Sequence, residues 1–259
     1  MQIYIAILVC FVFFAFRAPV YAGAYEAKLS TDIPLTTGAA ALYAFGFYEY
    51  TQMSASGSLA KEDLLPWDRP FAGTWNSTAS TLSNVVSGFV IVPLAMPAVS
   101  LYRGDIGKSD FGTFYLMALQ VAGIESGLNL LVRSHEYWAR PYMYGKEGGS
   151  SRNGGQAYGS FYSGHASAAF ATAVFTGMWF SETYPGSQWI PWVWAGSLST
   201  ATAVAVLRVA AGKHFPTDVI VGAAAGSAVS FTVLKLHESE KNSVSLAGSP
   251  QGLFFIYKF

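Results

Sequence analysis

Three short stretches carry the residues able to do chemistry: Arg133-x6-Arg140-Pro141, then Ser163-Gly164-His165, then Arg208-x5-His214-x3-Asp218. Guanidinium groups are planar, permanently charged forks that match phosphate oxygens. A histidine held by a carboxylate can attack phosphorus, and a second histidine can give the leaving oxygen its proton. Three arginines, two histidines and one carboxylate in this order predict a phosphate-ester hydrolase that works through a phosphohistidine.

Local sequence indicates how each group is placed. Pro216 suits the first turn of a helix, which sets His214 just ahead of that helix and Asp218 inside its first turn, within reach of one ring nitrogen. Held that way, the ring keeps its other nitrogen free to attack phosphorus. Ser163 is a plausible N-cap, Gly164 lets backbone approach an anion, and the unpaired N–H groups of a helix start cradle phosphate. Arg133, Arg140 and Arg208 would neutralise the phosphoryl oxygens and the five-coordinate transition state. Blander readings exist for single residues: Arg133 as a snorkelling membrane-edge arginine, Ser163 as simple capping, Asp218 as a cap beside a surface histidine. His135 and Glu136 read as rim residues, and His237, beside Glu238, reads as solvated.

The three blocks resemble the type-2 phosphatidic acid phosphatase superfamily, which also holds class A acid phosphatases and vanadium haloperoxidases. The resemblance covers roughly residues 84 to 236. It implies that His214 is the nucleophile, that Asp218 supports it, and that His165 protonates the leaving group. Two positions depart from the family pattern: Arg133 stands where Lys is usual, and Tyr162 where Pro is usual. Neither removes a reactive group, so altered specificity is expected rather than lost activity.

Composition sets the surroundings. Of the 259 residues 52% are hydrophobic and 12% charged, well under the ~25% charged of an ordinary soluble domain, which favours a membrane protein. The net charge of zero gives no reason to expect nucleic acid as a partner. Residues 1–22 read as a signal peptide or anchor; cleavage after Ala22 would remove Cys10, the single cysteine. Apolar stretches follow at about 38–52, 84–101, 112–132, 164–181, 190–207 and 217–236, several of them near the ~20 residues a bilayer crossing needs. They predict an all-α fold, a bundle of about six core helices embedded in a membrane, though a buried soluble core gives a similar pattern.

The expected division is 1–22, an N-terminal extracytoplasmic region at 23–83, a phosphatase domain at 84–240 and a tail at 241–259. If 3–22 leads outward and 38–52 does not cross, two hairpins bring all three blocks to the periplasmic face of a bacterial inner membrane; a soluble or peripheral periplasmic protein is the other option. Residues 142–160, rich in glycine, read either as a substrate-reading lid or as a connector. The expected function is metal-independent hydrolysis of a lipid phosphate or diphosphate, with no cofactor. Alternatives are an acid phosphatase on soluble esters, a vanadate-dependent haloperoxidase and a non-catalytic membrane scaffold.

Overall fold

Helix signals at the right places divide the chain into rods. Asn76 caps one start by accepting the Ala79 N–H, Asp110 accepts the Gly107 N–H at another, Ser163 accepts the Ala166 N–H at a third, and Pro216 occupies the first turn of a fourth. The computed structural model describes residues 23–54, 57–239, 244–249 and 252–257; the expected signal segment and Cys10 lie outside the described residues. The helices are α1 (Leu29–Thr51), α2 (Ser77–Phe89), α3 (Met96–Tyr102), α4 (Lys108–Arg133), α5 (Gly164–Thr183), α6 (Ile190–Ala210) and α7 (Pro216–His237). A short 3-10 turn, Val92–Ala95, joins α2 to α3, where Pro93 and Pro97 withdraw backbone donors and bend the path. The body is all-helical; in the tail, β1 (Val244–Ser249) pairs antiparallel with β2 (Gly252–Tyr257).

Two parallel helix pairs form the frame. In the first, α7 lies against α5 so closely that a Cβ at Gly226 would stand 2.0 Å from the Ser167 carbonyl oxygen, and one at Gly222 would stand 2.6 Å from that of Ser163. In the second, α1 lies against α4 through Ala39, Gly46, Gly123 and Gly127. Small residues four apart let backbones meet in this way, and dispersion contacts then replace the missing side chains. α4 and α6 run antiparallel to α5. Phe114 of α4 meets Phe175 and Trp179 of α5 edge-on, with ring centroids 4.9 and 5.0 Å apart. The C-termini of α1, α4 and α6 and the N-termini of α2, α5 and α7 therefore gather at one end of the bundle.

Four helical segments, Ser77–Tyr102, Lys108–Arg133, Ile190–Ala210 and Pro216–His237, are long and apolar enough to cross a membrane. Their outward faces carry Leu119, Trp192, Val206 and Ile220, each at least 60% exposed, as a lipid-facing surface would.

Three expectations change. The stretch 38–52 is the second half of α1, a helix of 23 residues that runs beside α4 for most of its length. Its polar first half carries Asp32, a charge in an apolar neighbourhood. That charge is satisfied from far away: His237 Nε2 lies 2.7 Å from Asp32 Oδ1, and Gln120 Nε2 donates to the same oxygen at 2.9 Å. His237 is correspondingly 1% exposed, not solvated, and its Nδ1 donates to the Val233 carbonyl. The boundary expected at 83/84 falls inside α2.

The tight α5–α7 contact makes a direct prediction. Gly226→Val forces side-chain atoms into the α5 backbone and should cost about 3 kcal/mol of stability. Gly112→Ala in α4, where a Cβ would meet nothing within 4 Å, should be neutral or stabilising. Thermal melting in detergent compares the two; equal melting temperatures would mean that α5 and α7 do not meet as described.

Candidate active site

His214 sits in the turn between α6 and α7, 2% exposed. The turn is possible because Gly212, at φ +67, brings its backbone against Thr74, where a Cβ would stand 1.9 Å from the carbonyl oxygen. Nδ1 of His214 lies 2.9 Å from the Ser160 carbonyl oxygen and 3.5 Å from Asp218 Oδ2. A carbonyl only accepts, so Nδ1 carries the proton, and Nε2 is the unprotonated nitrogen. Burial, together with Arg140, Arg208 and Arg133, holds the imidazole well below its usual pKa. His214 is therefore neutral, as a nucleophile must be.

Asp218 stands behind this arrangement and is fully enclosed. Its Oδ2 accepts from Ser160 Oγ at 2.5 Å and from the Phe215 N–H at 2.8 Å, and its Oδ1 accepts from Trp138 Nε1 at 3.1 Å. The sequence reading had Asp218 bonding the ring directly. The observed order is a relay of position: Asp218 fixes Ser160 and Trp138, and the backbone carbonyl of Ser160 fixes His214.

The loop before α5 is tied to the same point, since the Ser163 N–H donates to the Asp218 carbonyl at 3.1 Å. From the other side, Asn129 Nδ2 of α4 donates to the Tyr162 carbonyl at 2.7 Å. Gly164 is needed there, because a Cβ would stand 2.6 Å from Asn129 Oδ1. His165, in the first turn of α5, is exposed to the mouth, and its ring makes no hydrogen bond among the described residues. Desolvation, and after it the charges of Arg208, Arg140 and Arg133, push its imidazole down to about 4, so the protonated form needs an anion nearby to offset the arginines.

All three arginines are held by neutral acceptors. Arg133 Nε donates to the Gly159 carbonyl and its guanidinium lies 5.1 Å from the Tyr50 ring centroid. Arg140 Nε donates to the Gln156 carbonyl, and Arg208 Nη1 donates to Ser83 Oγ and Asn84 Oδ1. Among the described residues no carboxylate lies within salt-bridge distance of any of them, so their charge stays uncancelled. Burial and Arg133 push the Arg140 guanidinium down to about 10. Arg133 Nη2 and Arg208 Nε are buried without a partner among the described residues. Such groups cost stability unless an anion meets them. Among the described residues, no three His, Cys, Asp or Glu side chains group to hold a metal ion.

Two connections roof the mouth. From 53–76, Trp67 Nε1 donates to Thr217 Oγ1 at 2.7 Å, and Asp68 accepts the Thr217 N–H. The glycine-rich stretch 142–160 is pinned: Arg152 donates to the carbonyls of Tyr142, Gly145, Glu147 and Met143. Arg152 is thus a clip for the loop and not a substrate contact. Ser160, Trp138, Ser83, Asn84 and Asn129 were missed in the sequence. The one available signal was Ser160, three residues before the capping Ser163.

Comparison with known proteins adds a family to this geometry. No curated protein matches the chain. Among solved structures it is similar to the first transmembrane PAP2 type phosphatidylglycerolphosphate phosphatase from Bacillus subtilis. Identity is 20%, the match covers 76% of this chain and 94% of that one, and the TM-score is 0.41. Residues 114–241 match the PAP2 superfamily. That span contains Arg133, Arg140, His165, Arg208, His214 and Asp218 of the site just described, and over it the chain matches the PAP2 superfamily.

Proposed function

We propose that this PAP2 phosphatase hydrolyses a lipid phosphate through a phosphohistidine on His214, without a metal. The observation that carries the lipid part is a groove of about 680 Å³ between α2, α5 and α6, lined by Val86, Phe89, Val90, Ala169, Ala173 and Val193 among others. Its near end begins at Ala169, one turn (about 6 Å) along α5 from His165, and at Val86, one turn along α2 from Ser83, a partner of Arg208. An alkyl chain laid in the groove brings its headgroup to the arginines.

In the first step the Nε2 lone pair of His214 attacks phosphorus, and the bond from phosphorus to the ester oxygen breaks. His165 gives its proton to that oxygen as the alcohol leaves. The positive charge on the phosphorylated ring is stabilised by the Ser160 carbonyl and by Asp218 behind it. Arg133, Arg140, Arg208 and the N–H groups at the start of α5 hold the three equatorial oxygens. In the second step water attacks phosphorus, His165 takes its proton, and the P–N bond breaks to give inorganic phosphate and free His214.

His214→Ala should lower kcat on a generic phosphate ester by roughly 10³-fold or more while the fold persists. Asp218→Asn should lower it by about 10²-fold, because an amide NH2 must then face one of the donors Ser160 Oγ, Trp138 Nε1 or Phe215 N–H. Near wild-type turnover in His214→Ala rules out the nucleophile assignment.

Exhaustive chelation should leave activity unchanged, and orthovanadate should inhibit, since vanadate on His214 imitates the five-coordinate transition state. Activity that chelation removes and added zinc or magnesium restores counts against the mechanism.

Membrane crossing is tested by single cysteines in a chain lacking Cys10. Ser150 lies at the site end and Ser109 at the opposite end, and both are exposed. Only one of Ser150→Cys and Ser109→Cys should react with an impermeant maleimide in intact spheroplasts. The periplasmic placement expected above relied on 38–52 not crossing; with α1 at full length, whichever cysteine reacts assigns the side. Reaction at both positions indicates a peripheral bundle acting on soluble esters.

A further inference from the structure

A fourth cation at the mouth is not used by the mechanism above. Lys213 directly precedes His214, and its ammonium sits in a corner made by two rings, 4.6 Å from the Trp75 centroid and 5.1 Å from that of Tyr142. The rings themselves meet edge-on at 5.5 Å. Nζ also donates to Ser151 Oγ at 3.2 Å. Two connections thus build the seat: 57–76 through Trp75, and the clipped stretch 142–160 through both Tyr142 and Ser151. The backbone joins them too, with the Tyr142 N–H on the Gly212 carbonyl and the Asn76 N–H on that of Ala211.

Among the described residues no carboxylate lies within salt-bridge distance of Lys213. Burial, and after it the charges of Arg140 and Arg208, push its ammonium down to about 8. A cation held at a cost beside other cations gains most from an anion. Yet its position differs from theirs. Arg140 and Arg208 are 9% and 4% exposed, whereas Lys213 is half-buried on the solvent side of the His214 turn.

We propose that Lys213 is a second anion subsite that binds a charge carried by the leaving group, so that the enzyme prefers a lipid diphosphate to the matching monophosphate. The proposal rests on the phosphatase reading above. With a diphosphate, the terminal phosphoryl group occupies the arginine cradle and the inner phosphate reaches Lys213. His214 Nε2 attacks the terminal phosphorus, and the bond to the bridging oxygen breaks. That oxygen takes the His165 proton, and the leaving group is the lipid monophosphate. Water then hydrolyses the phosphohistidine as before. Leaving-group charge grows as this bond breaks, so a cation beside it helps the transition state as well as binding. A monophosphate, whose leaving group is a neutral alcohol, makes no use of Lys213.

The test compares farnesyl phosphate with farnesyl diphosphate, which share one alkyl chain, on wild type, Lys213→Met and Lys213→Arg. Methionine keeps an apolar stem against Trp75 and Tyr142 and removes the charge. Lys213→Met should reduce kcat/KM for the diphosphate about tenfold, the size of one charge-assisted hydrogen bond. Its monophosphate kinetics should stay within about twofold of wild type. Lys213→Arg should recover most of the loss. Equal losses on both substrates make Lys213 a structural staple, and no loss on either makes it idle; both results overturn the proposal. Wild type that hydrolyses only the monophosphate overturns the subsite and leaves the phosphatase reading standing, whereas hydrolysis of neither overturns the reading beneath it. Melting of the wild-type protein supplies a readout that does not depend on a variant folding. Inorganic diphosphate should raise its melting temperature more than orthophosphate at equal concentration, and an equal rise counts against a second subsite.

Discussion

The hydrogen bond from the Ser163 N–H to the Asp218 carbonyl, 3.1 Å long, is where the site end of the molecule is assembled. It joins the start of α5 to the start of α7, and it exists only because Gly222 and Gly226 let those two helices run side by side at backbone contact. Parallel helices place both N-termini at one end. The loop carrying His165 and the turn carrying His214 then share a wall, and Ser160 can span them with its hydroxyl on Asp218 and its carbonyl on His214. A larger residue at 226 would separate the helices and with them the two histidines.

Charge is handled differently at the two ends of the bundle. At the end opposite the site, Asp32 Oδ1 is matched by His237 and Gln120, so the carboxylate has a histidine partner within the protein. At the site end, the arginines receive only carbonyl, hydroxyl and amide oxygens and an aromatic face. These partners fix geometry without neutralising charge. The helical body thus pairs its buried charge at one end and leaves its arginines without a carboxylate at the other, the arrangement that the proposed phosphoryl substrate would balance.

Much of this end was legible in the sequence because its information is local. Pro216 and Asp218 mark the start of α7 within three residues, Ser163 marks that of α5, and the block spacings follow from how many residues each turn needs. What escaped was long-range. Nothing near Ser160 or Trp138 in sequence says that Asp218 will meet them, because the pairing arises when two helix starts are packed together. The partner of Asp32 is equally out of local reach, because the histidine that buries beside it stands 205 positions away. The start of α1 and the burial of His237 are one event, and neither half of the sequence contains it.

The Asp32–His237 clasp has company. The Glu26 N–H donates to the His237 carbonyl at 2.9 Å, the Ser239 N–H donates to that of Ala24 at 3.0 Å, and Tyr25 bridges Glu238. The helical body is therefore a closed ring in space although its chain is open. A circular permutant that links Ser239 to Ala24 through a short spacer, and opens instead at an exposed connection such as Gly186, retains every helix pair described above. Connectivity is in that sense incidental to the site, whose order along the chain can be rearranged while its geometry stays the same.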